Sequence, residues 1–281
     1  MNRNNVRWAF NISKWRPSHS DILLASSCIQ TEEKVRLTRF VFKKDLEYSL
    51  IGLLMLRKLV CEASDKKYNE IKFIRSDKGK PLLHPDSNVP KLHFNVSHHG
   101  NYTVCAGESG DIMLGVDVMK LEYQGGKSIS EFFRIMDRQF SSVEWDTIKG
   151  AGDETEQKAM FCRHWSLKES YVKAKGVGIT FNLKDTQFRV KTKKLSSVNL
   201  VTDTELYLNG IKLNWRFEEM LLDAEHCVSV AIGSDKDETI DCDGESLFKE
   251  ISFEQLMENC VPLTEADETF CENYFKKLEK T

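Results

Sequence analysis

Two helix-start signals lie 110 residues apart, at Thr31-Glu-Glu and at Ser141-Ser-Val-Glu144, and each precedes a long helical run. The first offers a hydroxyl N-cap with acids in the first turn. The second has the spacing of a capping box. The long runs, Phe42 to Glu62 and Lys158 to Lys175, keep a similar offset. An order of elements repeated at a fixed interval, with little identity between the halves, points to a duplicated unit. Each half must then supply its own strands and its own long helix. Residues 71–83 read as strand, turn and strand around Asp77-Lys-Gly79-Lys-Pro81. Further strands are expected at 92–96 and 102–106, joined around Ser97-His98-His99-Gly100, and at 113–118. The second half adds 186–191, 205–208, 211–218 and 226–232. The expectation is an α+β protein of two α/β lobes, residues 1–115 and 116–233. An acidic linker and C-terminal tail, 234–281, would follow, with helical fragments that either dock or stay mobile.

Charge is unevenly spread. Residues 234–281 hold 14 acidic and 5 basic side chains, so the remaining body carries +6 although the whole chain is -3. A mildly basic body suits an anionic ligand or an acidic partner and falls short of a nucleic-acid-binding signature. The most apolar run, Leu50 to Leu56, is closed by Arg57-Lys58 and is too short to span a bilayer. The first residues lack the apolar core of a secretion signal. The eight cysteines form no C-x-x-C pair, and we expect them reduced, in a cytoplasmic protein.

The chemistry concentrates in Trp165-Ser-Leu-Lys168-Glu169-Ser-Tyr-Val-Lys173-Ala-Lys-Gly176. On a helix, Glu169 and Lys173 fall on one face, one turn apart, with Trp165 on the same stripe. Asp117 ends a short buried strand in Met113-Leu-Gly-Val-Asp117-Val-Met119-Lys120. Two carboxylates and a lysine suit a divalent metal and a phosphate ester. The same spacing also describes a solvated ion pair with an unrelated Asp. Arg75-Ser-Asp-Lys78-Gly79-Lys80-Pro81 places two lysines about a glycine turn, where they can grip a terminal phosphate as point charges. An exposed basic hairpin tip has the same composition, and the spacing is not that of a P-loop. In Asn95-Val-Ser97-His98, Ser97 and His98 can both hydrogen-bond a phosphate. A Ser-His hydrolase fits poorly, because neighbours on extended backbone point to opposite faces and no G-x-S-x-G elbow is present. No Cys/His spacing matches zinc.

Taken jointly, these runs resemble the 4′-phosphopantetheinyl transferase family, in its larger, two-lobed class. Gly115-Val-Asp117 resembles the family's G-[IV]-D motif, and Trp165 to Ala174 its W-x-x-K-E-[SA]-x-x-K-A motif. Lys78-Gly79-Lys80-Pro81 and Asn95-Val-Ser97-His98 resemble the G-K-P and N-[IV]-S-H elements, in the family's order. Val6-Arg-Trp-Ala-Phe10, Glu131-Phe-Phe-Arg-Ile-Met136 and Val177-Gly178 extend the likeness to the animal cytosolic branch, over about residues 6–232. Many members carry Glu two residues after the strand Asp as a third metal ligand. Met119 stands there, and a thioether is a poor magnesium ligand, so water is expected in that position.

The resemblance implies two pseudo-symmetric lobes with the active site between them, working as a monomer. It implies transfer of the phosphopantetheine arm of coenzyme A to a carrier-protein serine, with release of adenosine 3′,5′-bisphosphate. Coenzyme A carries about -4 charge, which suits the basic body. By resemblance Arg36, Arg75, Ser76, Asp77, Lys78, Gly79, Lys80, Asn95, Val96, Ser97 and His98 would form its pocket, with Asp117 and Lys173. Asp117 and Glu169 would hold Mg2+. Glu169 would take the serine proton, and Lys173 would neutralise charge growing on the bridging oxygen. The partners would be acidic acyl carrier protein domains, of fatty acid synthase type and aminoadipate-semialdehyde dehydrogenase type, with no nucleic acid and no membrane. Two other readings are a different magnesium-dependent phosphotransferase or hydrolase, and a silent coenzyme A-binding scaffold. The presence of Asp117, Glu169 and Lys173 together favours an enzyme.

Overall fold

The computed structural model describes residues 5–64, 66–87, 89, 91–122, 126, 128–178, 182–234 and 246–279. The first half runs β1 (Asn5–Asn11), α1 (His19–Ser27), α2 (Thr31–Thr38), α3 (Lys43–Ala63), β2 (Phe73–Arg75), β3 (Pro81–Leu83), β4 (Leu92–His99) and β5 (Tyr102–Ser109). The second runs β6 (Met113–Lys120), α4 (Ile129–Ile135), α5 (Ser142–Lys149), α6 (Glu154–Lys175), β7 (Thr186–Arg189), β8 (Glu205–Leu208), β9 (Ile211–Leu213), β10 (Arg216–Asp223) and β11 (His226–Gly233). The antiparallel order β1-β5-β4 in one sheet is repeated as β6-β11-β10 in the other. In both, the first strand pairs with the last, and the last with the one before it.

The intervals support the same duplication. α1 and α4 start 110 residues apart, at 19 and 129, and α3 and α6 start at 43 and 154. After the long helices the offset grows to 124, with β4 and β10 starting at 92 and 216. The difference falls where the first half has the β2–β3 hairpin and the second has the small sheet β7-β8-β9.

Period-2 alternation then sorts the faces. On β5, Tyr102, Val104 and Ala106 meet Val116 and Val118 of β6 and Val228, Val230 and Ile232 of β11 in an apolar layer between the sheets. The opposite face of β5 receives α3: Cys105 joins its core, and Gly107 leaves room for Leu59. α6 covers β6 and β11 in the same way.

Residues 246–279 dock on the first lobe. β12 (Lys249–Glu250) adds to β1 in parallel, and α7 (Phe253–Met257) and α8 (Glu268–Lys276) follow. Phe253 stacks on Trp15 at 5.1 Å, and Phe270, Cys271 and Tyr274 enter the core around α3. The linker expected from Ser234 lies, beyond Ser234 itself, outside the described residues up to Gly244.

Three local expectations are corrected. Thr31 is not the N-cap of α2; Gln30 is, without a side-chain cap bond. The Gln30 amide instead binds the backbone of Phe73 and the Arg57 guanidinium. The run 211–218 is two strands, β9 and β10. β4 extends to His99, so Ser97 and His98 are strand residues and the turn is Gly100-Asn101. The capping box at Ser141 and Glu144 is present as expected. Among the described residues no helix is long and apolar enough to cross a membrane.

Candidate active site

β4 and β6 belong to different sheets, yet three side chains on one face of β4 reach across to β6. Asn95 Oδ1 accepts from the Val116 N–H at 3.1 Å, and His99 Nδ1 from the Lys120 N–H at 2.9 Å. Between them, Ser97 Oγ donates to Asp117 Oδ1 at 3.0 Å. Alternate residues of a strand share a face, so positions 95, 97 and 99 act together.

The other wall is α6. Asp153 and Glu156 form its capping box, and Gly176, at φ +66°, ends it. The glycine of the Gly-Val-Asp run fixes how near the helix comes. A Cβ on Gly115 would sit 2.1 Å from Ser170 O and 2.4 Å from Ala174 N. Only a hydrogen side chain permits that approach. Ser166 Oγ ties the helix to Asp117 O at 3.1 Å. As a result Lys173 Nζ lands 2.6 Å from Asp117 Oδ1 and 2.7 Å from Ser97 Oγ. Residues from three elements and both lobes thus share one hydrogen-bond cluster. Asp117 Oδ2 is buried and has no hydrogen-bond partner among the described residues.

A cleft of about 940 Å3 opens beside this cluster. Ser76, Asp77, Lys78, Gly79 and Lys80 form its rim, Asn95 and Val96 one side, and Glu169 and Lys173 the other. Gly79 turns at φ +78°. Lys78 Nζ donates to Gly176 O and Val177 O at 2.9 and 3.0 Å, capping the carbonyl end of α6 from the opposite lobe. Arg36 and Arg75 do not line the cleft. Both guanidiniums grip Glu33, Arg75 through two nitrogens at 2.7 and 2.9 Å, and Arg75 also braces Gly79 O at 2.6 Å. His98 lies on the other face of β4 from Ser97, stacked on Tyr48 at 4.6 Å.

The electrostatics follow the geometry. Burial first, then the neighbouring Asp117 carboxylate, raise Glu169 above the ordinary carboxylate value, and Lys173 partly offsets them. Burial lowers Lys80. Burial and then Lys173 lower His98, so it stays neutral near pH 7. Two carboxylates that repel each other, one with a buried unsatisfied oxygen, are a donor set that magnesium accepts together with water and phosphate oxygens. Met119, two residues after Asp117, packs with the aromatic cluster of Phe133, Phe140 and Phe161.

Some contributors had no local signal. Phe94, Gln139, Val172 and Leu183 also line the cleft. Tyr48, which supports His98, stands between Glu47 and Ser49 before the apolar run of α3, and nothing local marked it. Lys168, next to Glu169, turns away. It is fully buried on Glu144, Leu183 O and Thr186, at 2.8–3.0 Å, and joins α6 to α5 and β7.

Comparison with known proteins matches this architecture. Residues 13–110 match the family described as 4′-phosphopantetheinyl transferase, N-terminal, and residues 113–231 the 4′-phosphopantetheinyl transferase superfamily. The chain is 41% identical to the L-aminoadipate-semialdehyde dehydrogenase-phosphopantetheinyl transferase of Homo sapiens, over 94% of this chain and 89% of that one. It is 38% identical to the Xenopus laevis protein of the same name, over 98% and 93%. The 4′-phosphopantetheinyl transferase Sfp of Bacillus subtilis is 32% identical over 62% of this chain and 72% of its own length.

Proposed function

This chain belongs to the 4′-phosphopantetheinyl transferase superfamily and transfers phosphopantetheine from coenzyme A to carrier proteins, and we propose that Asp117, Glu169 and Lys173 carry the reaction. The observation that carries this reading is the Lys173–Ser97–Asp117 cluster beside Glu169, at the edge of a cleft rimmed by Lys78 and Lys80.

Lys78 and Lys80 hold phosphates of coenzyme A at the rim, as compact charges. Arg75 supports them by fixing Gly79, and Asn95 and Ser97 keep the cleft's floor in register. The serine hydroxyl of the carrier attacks the phosphorus that bears the pantetheine arm. The bond from that phosphorus to the bridging oxygen breaks, and adenosine 3′,5′-bisphosphate leaves. Glu169 receives the serine proton; its raised affinity for protons suits that task. Lys173, oriented by Ser97, neutralises charge on the bridging oxygen.

Asp117 and Glu169 would hold magnesium, with water in the position that Met119 leaves without a carboxylate. The unsatisfied Asp117 Oδ2 supports that assignment. Magnesium bound there supplies charge neutralisation and polarisation of the pyrophosphate.

The fitting acceptors are acidic carrier domains, of fatty acid synthase type and of the aminoadipate-semialdehyde dehydrogenase type that the animal relatives' name records. The same reading takes the working unit as a monomer, with lobes 1–115 and 116–233 flanking the site.

Intact-mass spectrometry of an apo acyl carrier protein incubated with this protein, coenzyme A and magnesium tests the reading. A gain of about 340 Da that needs metal is expected. A full gain with Glu169→Ala would remove Glu169 from the mechanism.

A further inference from the structure

Outside the reaction centre, Glu33 of α2 holds two guanidiniums, one from its own helix and one from β2, on a side chain that is 9% exposed. Arg75, the last residue of β2, donates from Nε to Oε1 at 2.7 Å and from Nη2 to Oε2 at 2.9 Å. Arg36, three residues along α2, donates from Nε to Oε2 at 2.7 Å. The two-point hold fixes the plane of the Arg75 guanidinium as well as its place. Burial alone would raise Glu33, but the hydrogen bonds from Arg75 and then Arg36 outweigh it and hold the carboxyl below its ordinary value. Glu33 is therefore charged at neutral pH.

The third nitrogen of Arg75 reaches the lysine turn, where Nη1 donates to Gly79 O at 2.6 Å. The same peptide unit is tied at its other end, because the Lys80 N–H donates to Ser76 Oγ at 3.1 Å. Two backbone bonds close the turn, Gly79 N–H to Ser76 O at 2.8 Å and Ser76 N–H to Lys80 O at 3.0 Å. A Cβ built on Gly79 would meet nothing within 4 Å, so packing does not hold the turn on that side. Polar ties do, and the one from outside the turn is Arg75. From this turn Lys78 leaves toward the carbonyl end of α6 and Lys80 toward the cleft.

We propose that Glu33 is a positioning residue for coenzyme A: by clamping Arg75 it sets the turn 76–80 and so aims Lys78 and Lys80 at the phosphates. The assignment rests on the cleft being the coenzyme A site. Glu33 stands behind the turn and does not line the cleft. Its loss therefore weakens the hold on coenzyme A while Glu169 and Lys173, on α6, keep their places for the chemical step. A second consequence concerns the arginines. A carboxylate that grips both of them keeps them out of the cleft, so the phosphates meet the compact charges of the lysines there.

The test titrates coenzyme A calorimetrically into the full chain with magnesium, and measures KM and kcat for carrier modification on the same samples. For Glu33→Gln the expected result is a rise of about tenfold in both Kd and KM for coenzyme A, the scale of one charge-assisted hydrogen bond. At saturating coenzyme A, kcat should stay within about twofold of the wild type. Arg75→Lys keeps the charge but cannot hold Glu33 and Gly79 O in one plane, and should show the same loss. Adding Glu33→Gln to Arg75→Lys should then cost nothing more, because the two act as one unit. An unchanged Kd in folded Glu33→Gln, a fall in kcat alone, or additive losses in the double variant would overturn the proposal. Should Glu33→Gln fail to fold, an unchanged Kd in Arg75→Lys would overturn it as well. A wild-type chain that binds no coenzyme A would instead sink the reading of the cleft, and this inference with it.

Discussion

The two lobes meet at two polar junctions that differ in one respect. At the first, Arg7 of β1 reaches Glu108 of β5 and Glu218 of β10, at 2.7 Å each. Its Nη1 donates to Val6 O and Gly107 O, and Arg216 takes the second oxygen of Glu218 at 2.9 Å. The Arg7 and Glu218 side chains are fully buried. At the second junction Lys173 and Ser97 satisfy one oxygen of Asp117, the other has no partner among the described residues, and Glu169 stands half-buried with raised proton affinity. A junction whose charges are all paired holds the lobes. One left incomplete has capacity for a metal, a proton or a phosphate.

The sharpest way to break this comparison is Glu169→Gln. We expect the initial rate of carrier modification to fall by about 10²–10⁴. The melting temperature should move by less than about 2 °C, since the change removes a repelling charge. Loss of folding instead would place Glu169 with the structural junction. Arg7→Met should do the reverse. It strands the Glu108 carboxylate and leaves Glu218 to Arg216 alone, so denaturant unfolding should show a loss of about 3–5 kcal/mol. The turnover of the folded fraction should stay unchanged, and a selective fall in turnover would contradict the division.

Gly115→Ala should fail on both counts, because the added Cβ must push α6 away from β6. We expect about 1–3 kcal/mol of destabilisation together with slower turnover, measured on one sample. Equal affinity and rate would show that the close approach does not set the geometry of Lys173.

The effect with no weight at neutral pH concerns His164, on the buried side of α6. Burial depresses it to about 3, and its Nδ1 bonds Met160 O at 2.9 Å. The unfolded chain therefore takes up a proton near pH 6.5 that the folded chain refuses. Stability contributed this way is full above about pH 6.5 and falls by roughly 1.4 kcal/mol per pH unit between there and about pH 3. Thermal melts at stepped pH should show a steeper acid decline in the wild type than in His164→Leu. Parallel declines would remove His164 from the acid response.

Much of the incomplete junction could be read from the chain. Glu169 and Lys173 announce themselves by helical spacing, Gly115-Val-Asp117 by its motif, and the lysine turn by its glycine. The repeated helix starts at 31 and 141 anticipated a duplication that the strand orders extend. The paired junction could not be read in this way. Arg7 and Glu218 are 211 residues apart, and neither lies in a pattern that names the other. The cap at Thr31 misled because Gln30 had tertiary partners, Phe73 and Arg57, that no local rule foresees. Tail docking was left open for the same reason: an acidic, polar composition does not disclose that Phe253, Phe270 and Tyr274 fill a remote core.

That docking also orders events during synthesis. The β1-β5-β4 part of the first lobe's sheet is made once Ser109 has left the ribosome, but β12, Phe253 and Tyr274 come much later in the chain. At cellular translation rates the delay is roughly 10–30 s, far longer than small domains need to fold. Throughout it Trp15 and the core around α3 lack the cover that Phe253 and Tyr274 supply, so the nascent first lobe is a natural client for chaperones until residues 246–279 are made.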